Sequence, residues 1–306
     1  MFNRGEIPPT VRRLAFVCGK EDAGRTVRDI LLGKWHLVHH DVARAKYDTA
    51  NGITVNGEPA FVSRVLREGD ELVFLLADLP SETTIPVKGE LRILYEDEDL
   101  IAVEKPAGVL VHPSHGHYDD TMANFVAGYF EEKGELHELR TVGRLDKDTS
   151  GILLFAKSRS AVAALNYRRR CEKTYYALFS GDALLSGTID RPLGPVPGDK
   201  VRQMVRADGK AAVTHFRVLR QMQGYGLLEA KIDTGRTHQI RVHLASIGHP
   251  LLGDPLYGMG ETFGMERTAL HAGRLVFEQP FSGEEIVLEA SLPRDMEKLL
   301  VGMAGD

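Results

Sequence analysis

The chain reads as an α+β protein with one large part and a smaller one ahead of it. Three observations predict this. The apolar run Ile152-Leu153-Leu154-Phe155-Ala156 directly follows a polar turn and has the length of a buried strand. Residues 93–103 read as two short strands around the acidic turn Glu96-Asp97-Glu98-Asp99. A strand ending at Asp233 passes through Thr234-Gly235 into Ile240, Leu244 and Ile247 at helical spacing, with Gly248 and Pro250 as the stop. At 306 residues there is room for one large domain and a small one.

The small part is expected at residues 1–79. Val27 to Val38 has mixed helical spacing, and Ile53 to Ala60 reads as a strand with a tight Asn56-Gly57 turn. Val65 to Phe74 adds a second turn and strand. Residues 80–89, with Ser81, Thr83, Thr84 and Pro86, read as a linker, and the large domain spans 90–306. Within it, Lys105-Pro106-Ala107-Gly108 ends a strand, because Pro lacks a donor and Gly permits a left-handed turn. Arg168 to Gly181 reads as the end of a basic helix running into a strand. There Lys173 and Tyr175 share one face and Tyr176 takes the other.

The net charge of -5 is unevenly spread. From Arg144 to Arg241 there are 18 Lys and Arg against 9 Asp and Glu, which suggests a basic surface for phosphates on an acidic body. Lys200, Arg202, Arg206 and Lys210 form a basic stretch after Pro192 to Gly198, read as a loop and its following strand. Cys18 and Cys171 lie far apart with no metal or redox spacing, which fits a reducing compartment. No signal peptide and no membrane-length apolar run is read, so a cytoplasmic protein is expected.

The polar turn Gly143-Arg144-Leu145-Asp146-Lys147-Asp148-Thr149-Ser150-Gly151 admits several readings, the plainest being a solvated turn. It matches the first half of a calcium loop from Asp146, but the twelfth position is Lys157, a cation where the ion needs a carboxylate. A phosphotransfer Asp-x-Asp should follow a hydrophobic strand, whereas residues 138–144 interleave charges. His238 and His243 are five apart and share no helical face as zinc ligands would, so no metal is expected.

The string Gly143 to Lys157 resembles the catalytic motif of the RluA family of pseudouridine synthases, His-Arg-Leu-Asp-x-x-Thr-Ser-Gly before an apolar strand. Gly143 stands where His is usual. Residues 93–113, Lys173-x-Tyr175 and Gly235-Arg236-Thr237-His238-Gln239-Ile240-Arg241 resemble the family's other motifs, in the expected order over about residues 90 to 290. Val55-Asn56-Gly57 with Gly69-Asp70 resembles the α-L RNA-binding domain found ahead of many such enzymes; the helical half, Asp29 to Ala50, is a loose match.

The resemblance implies a mixed, mainly antiparallel sheet with flanking helices and a central cleft. It implies an RNA uridine isomerase acting on ribosomal RNA, with transfer RNA the alternative, as a monomer. The reaction involves no redox change, so no cofactor is implied. The target base is flipped from its stack to react. Asp146 is then nucleophile or base, Arg236 its partner with Arg241 the fallback, and Tyr175 lies against the base. Arg144 displaces or replaces the flipped nucleotide, since a guanidinium both stacks and pairs with phosphate. Lys173 belongs to the same site, and Lys200, Arg202 and Arg241 are expected to meet RNA.

Two other classes compete. A non-catalytic RNA-binding protein would share the basic surface but would not need Asp146, Tyr175 and Arg236 together. A glycosidase would need a second carboxylate, for which Asp148 is the available candidate.

Overall fold

The computed structural model describes residues 10–77, 84–168, 171–182 and 184–301. In chain order the N-terminal unit holds β1 (Val11–Val17), a π-helical turn (Asp29–Lys34), α1 (His39–Tyr47), β2 (Ile53–Val55), β3 (Glu58–Pro59) and β4 (Glu71–Ala77). Its sheet has the order β1-β4-β2-β3 and is antiparallel throughout. The Asn56-Gly57 turn is as read. Both residues have positive φ, the two-residue hairpin geometry that Asn-Gly favours, and the Asn56 side chain bonds Asp70 and the Glu71 N–H. Leu14, Ile30, Leu31, Trp35, Val55 and Phe74 help to close a core of its own.

The large unit follows with β5 (Arg92–Glu96), β6 (Leu100–Lys105), α2 (Met122–Glu132), β7 (Arg140–Val142), β8 (Ser150–Ala156), α3 (Arg159–Arg168) and β9 (Cys171–Ser180). It continues with β10 (Gly187–Asp190), β11 (Leu193–Pro195), β12 (Gln203–Val205), β13 (Val213–Met222), β14 (Tyr225–Ile232), α4 (Gln239–Ser246), β15 (Leu270–Glu278), β16 (Glu285–Glu289) and α5 (Arg294–Val301). A ten-stranded sheet runs β10-β13-β14-β9-β15-β8-β6-β5, with β16 on β15 and β7 on β8. Its pairs are antiparallel except β8 with β15. The expected mixed, mainly antiparallel sheet with flanking helices is therefore present.

The continuous apolar character of β8 has a simple cause: every residue of the strand is buried. Leu153 and Phe155 point into the core shared with α2 and α4, while Ile152, Leu154 and Ala156 point into the core shared with α3. A strand covered on both faces cannot alternate polar and apolar residues. Gly151, the second residue of the strand, admits no side chain, because a Cβ there would lie 2.2 Å from the Ala272 carbonyl oxygen of β15.

Of the expected linker, residues 80–83 lie outside the described residues. The rest is docked. Ile85 O accepts from Asn124 Nδ2 at 2.8 Å, and the Val87 N–H donates to Asn124 O at 3.1 Å. Residues 84–89 thus run along α2 as part of the large unit's packing.

Candidate active site

Asp146 sits in a loop fixed at several points. Lys105 is fully buried at the end of β6, and its ammonium donates to the carbonyls of Pro106, Val109 and Lys147 at 2.7–2.8 Å. The Gly108 N–H also donates to Lys147 O at 2.9 Å, and Arg267 Nη1 donates to Asp148 O at 3.1 Å. The Lys-Pro-Ala-Gly kink therefore does structural work: it turns the chain so that one cation and one amide hold the loop. Burial pushes the Lys105 ammonium down to about 7, and the carboxylates of Asp148 and Asp146 oppose that fall.

The loop's carboxylate meets an arginine from α4. Arg241 Nη1 lies 3.3 Å from Asp146 Oδ2. The same guanidinium forks onto Asp254, with Nε to Oδ2 at 2.7 Å and Nη2 to Oδ1 at 2.8 Å. Side-chain exposures are 6% for Arg241, 0% for Asp254 and 19% for Asp146. One carboxylate is thus buried to hold the arginine, and the other faces the cleft. Burial works to raise the Asp254 carboxyl, but Arg241 and the N–H groups of Leu256 and Tyr257 reverse this and hold it below the ordinary range.

This geometry corrects the pairing expected for Arg236. Its Nε donates to Ala211 O at 3.0 Å, and the residue is exposed at the rim. The fallback, Arg241, makes the ion pair and is buried. The cause is local. The helix does not begin right after Arg236. His238 first takes a left-handed conformation (φ 56), and α4 starts at Gln239. Gln239 Oε1 accepts from the Arg236 N–H and the Thr234 hydroxyl, which closes the turn and leaves Arg241 on the buried face.

A cleft of about 340 Å³ opens over Asp146, within the usual range for small-molecule sites. Arg144, Lys173, Tyr175, Arg236 and His238 line it with Asp146, as does Arg241 behind them. Asp148, the candidate partner in the glycosidase reading, is not in its lining. Tyr175 is buried on β9 with Lys173 on the same face, while Tyr176 packs over Gly273. Burial, and after it the Asp146 carboxylate, raises the Tyr175 phenol above its ordinary value, so it is protonated at neutral pH. Burial draws the Lys173 ammonium downward. Gly143 has φ 74, a conformation that costs glycine nothing and a histidine something.

The basic stretch is less free than its charge suggests. β11 and β12 form a separate two-stranded hairpin, with Lys200 and Arg202 between them. Arg202 pairs with Asp199 at 2.6 Å and Arg206 with Asp208 at 2.5 Å. A second cleft joins this hairpin to Arg236 and is lined by Arg206 and Lys210. Sequence reasoning missed Asp254, Arg267 and Tyr257. The Gly253-Asp254-Pro255 turn was a signal for the first; the other two carried none.

A carboxylate fixed at a cleft mouth, clamped through a shared arginine and walled by a buried tyrosine and cationic side chains, defines an enzyme acting on a polyanion's base-sized group. A family model described as RNA pseudouridylate synthase matches residues 99–246. The chain is 40% identical over 253 residues to the RNA pseudouridine synthase YhcT of Bacillus subtilis (strain 168), covering 81% of this chain and 83% of that one. It is 36% identical over 271 residues to the ribosomal large subunit pseudouridine synthase D of Escherichia coli O6:H1, covering 83% of each. The solved human RNA pseudouridylate synthase domain containing 4 superposes with a TM-score of 0.55 at 25% identity, over 68% of this chain and 93% of that one. The chain belongs to the RluA family of RNA pseudouridine synthases, and it is an isomerase that converts uridine in RNA to pseudouridine.

Proposed function

We propose that this enzyme modifies uridines of large-subunit ribosomal RNA, and that Asp146 is its reacting carboxylate. The observation that carries the second statement is the Arg241 fork. A carboxylate 3.3 Å from a guanidinium that Asp254 already holds is positioned at the cleft by a partner that is itself fixed. The first rests on relatives named as ribosomal large subunit pseudouridine synthases that match over four fifths of both chains.

In this reading the target uridine leaves its stack and enters the Asp146 cleft, at a cost of a few kcal/mol. Arg144, exposed at the lip, fills or props the vacated place. Tyr175 packs against the flipped base as a protonated phenol. Asp146 attacks the anomeric carbon or takes a proton from the neighbouring sugar carbon. Arg236, Lys173 and the hairpin's Lys200 and Arg202 meet the backbone phosphates. The enzyme acts in the cytoplasm as a monomer, and its N-terminal unit, residues 1–79, adds RNA surface.

Asp146→Asn keeps the shape and removes the charge. We expect pseudouridine formation to be abolished while RNA affinity changes by less than about threefold, under roughly 0.7 kcal/mol. Turnover above trace would exclude Asp146 as the reacting group. Mapping pseudouridines in total RNA from cells with and without the gene tests the substrate. Loss confined to transfer RNA would overturn the ribosomal assignment.

A further inference from the structure

The mechanism above leaves His238 unused, yet its ring is held more deliberately than a lining residue requires. It occupies the N-cap position of α4 with φ 56, a conformation uncommon for a residue other than glycine. Its side chain makes no capping bond. The turn ahead of the helix is closed by Gln239 instead, so the imidazole is released for other work.

The Gln203 N–H donates to the Tyr257 hydroxyl oxygen at 2.8 Å. The arrangement in which the phenol both accepts and donates gives its proton to His238 Nδ1, 2.9 Å away. With Nδ1 accepting, the ring proton sits on Nε2. Among the described residues Nε2 has no hydrogen-bond partner, and the residue lines the cleft beside Asp146 and Tyr175. Tyr257 is fixed in turn: its N–H donates to Asp254 Oδ1 at 3.1 Å, and the Arg241 guanidinium lies 5.2 Å from its ring centroid. The clamp that holds Asp146 therefore also holds His238.

We propose that His238 is a catalytic residue that donates its Nε2–H to a carbonyl oxygen of the target uracil and stabilises the negative charge on the detached base. This rests on the placement of the target uridine in the Asp146 cleft. When the C1′–N1 bond breaks, its electron pair goes to the base, and the charge is shared by N1, O2 and O4. The base turns, C5 bonds to C1′, the C5 proton is lost to a base and N1 gains a proton. Atoms and electrons balance as an isomerisation, and His238 neither gains nor loses a proton. A carboxylate cannot stabilise an anion, so this donor must come from elsewhere in the cleft wall. Donors aimed at developing charge in a water-poor site contribute large rate factors. A neutral ring suits the task, and burial holds it neutral, with Arg241 and Arg144 acting the same way against Asp146 and Asp254.

The test uses single-turnover rates on RNA carrying uridine, 2-thiouridine or 4-thiouridine at the target. His238→Phe should slow uridine conversion about 100-fold, the factor typical of one lost donor, with RNA affinity within about threefold. His238→Gln, which keeps an N–H, should recover to within about tenfold. Sulfur at the contacted carbonyl should slow the natural enzyme far more than His238→Phe. Tyr257→Phe removes the partner that orients Nδ1 and should lower the bound-state rate with RNA affinity within about threefold. An unchanged bound-state rate in His238→Phe, or an equal thio effect in both enzymes, overturns the proposal. If His238→Phe fails to fold, the thio series on His238→Leu, which also lacks the N–H donor, decides by the same criterion. An inert Asp146→Asn with a normal His238→Phe sinks this inference alone, whereas an active Asp146→Asn sinks the reading beneath it.

Discussion

Arg241 serves two carboxylates of opposite exposure, and the buried one explains why the residue must be arginine. Asp254 takes two parallel N–H bonds at 2.7 and 2.8 Å, a fork that a lysine cannot reproduce. Arg241→Lys is expected to lower the single-turnover rate about 100-fold, equivalent to roughly 2.7 kcal/mol. It should also destabilise the fold by up to about 3 kcal/mol, because Asp254 loses half of its pairing in the interior. Arg236→Lys should leave the bound-state rate within about threefold, since its charge is at the rim. Rapid-quench kinetics and denaturant unfolding on both variants check this. The reverse pattern would return the catalytic pairing to Arg236.

At the scale of elements, the site is the junction of the β6 end, the β8 start and the N-terminus of α4. Lys105 joins the first two by donating to the Lys147 carbonyl. Its folded-state pKa is depressed to about 7, below the usual lysine value. Below pH 7 the folded and unfolded states are both protonated, and the folded state carries the full burial penalty. Above pH 7 the unfolded chain binds more protons, so this group's contribution to stability rises with pH up to about 10.4. Lys105→Met should remove that rise, so that the difference in unfolding free energy between the two proteins shifts in favour of the natural protein from pH 7 to pH 10. A constant difference would mean the lysine's charge is not perturbed by its burial.

The two units are tied at the scale of the whole molecule. Ser160 Oγ at the start of α3 donates to Asp41 Oδ2 of α1 at 2.5 Å and accepts from the Val38 N–H at 3.2 Å, with Ser160 and Asp41 both buried. Arg12 of β1 forks onto Asp99 and reaches Glu98 in the acidic turn, and His36 stacks on Tyr167 with centroids 3.4 Å apart. Ser160→Ala leaves a buried carboxylate and a backbone N–H without their partner, at about 1–3 kcal/mol. Hydrogen exchange should then quicken in α1 and at the start of α3, while the Asp146 loop keeps its protection. Unaltered exchange in α1 would show that the other contacts alone hold the units together.

The sequence by itself determined what short-range physics encodes. The Asn56-Gly57 hairpin, the two-faced β8, the turn before it and the opposite faces of Tyr175 and Tyr176 follow from φ preferences and strand alternation. The proposed reacting carboxylate, Asp146, was legible because it lies in the turn just ahead of a fully buried strand. The identity of its partner was not. Arg236 and Arg241 stand in one string, and a single left-handed residue, His238, resets where the helix begins and so which arginine is buried. Asp254, Arg267 and Tyr257 come from turns far along the chain, and residues 80–89 read as a linker where residues 84–89 pack along α2. Periodicity and turn chemistry act over a few residues, whereas the Asp146–Arg241 contact closes across 95 positions. Only the packing of β8 beside β15, with α4 laid over the sheet, brings those side chains within hydrogen-bond range.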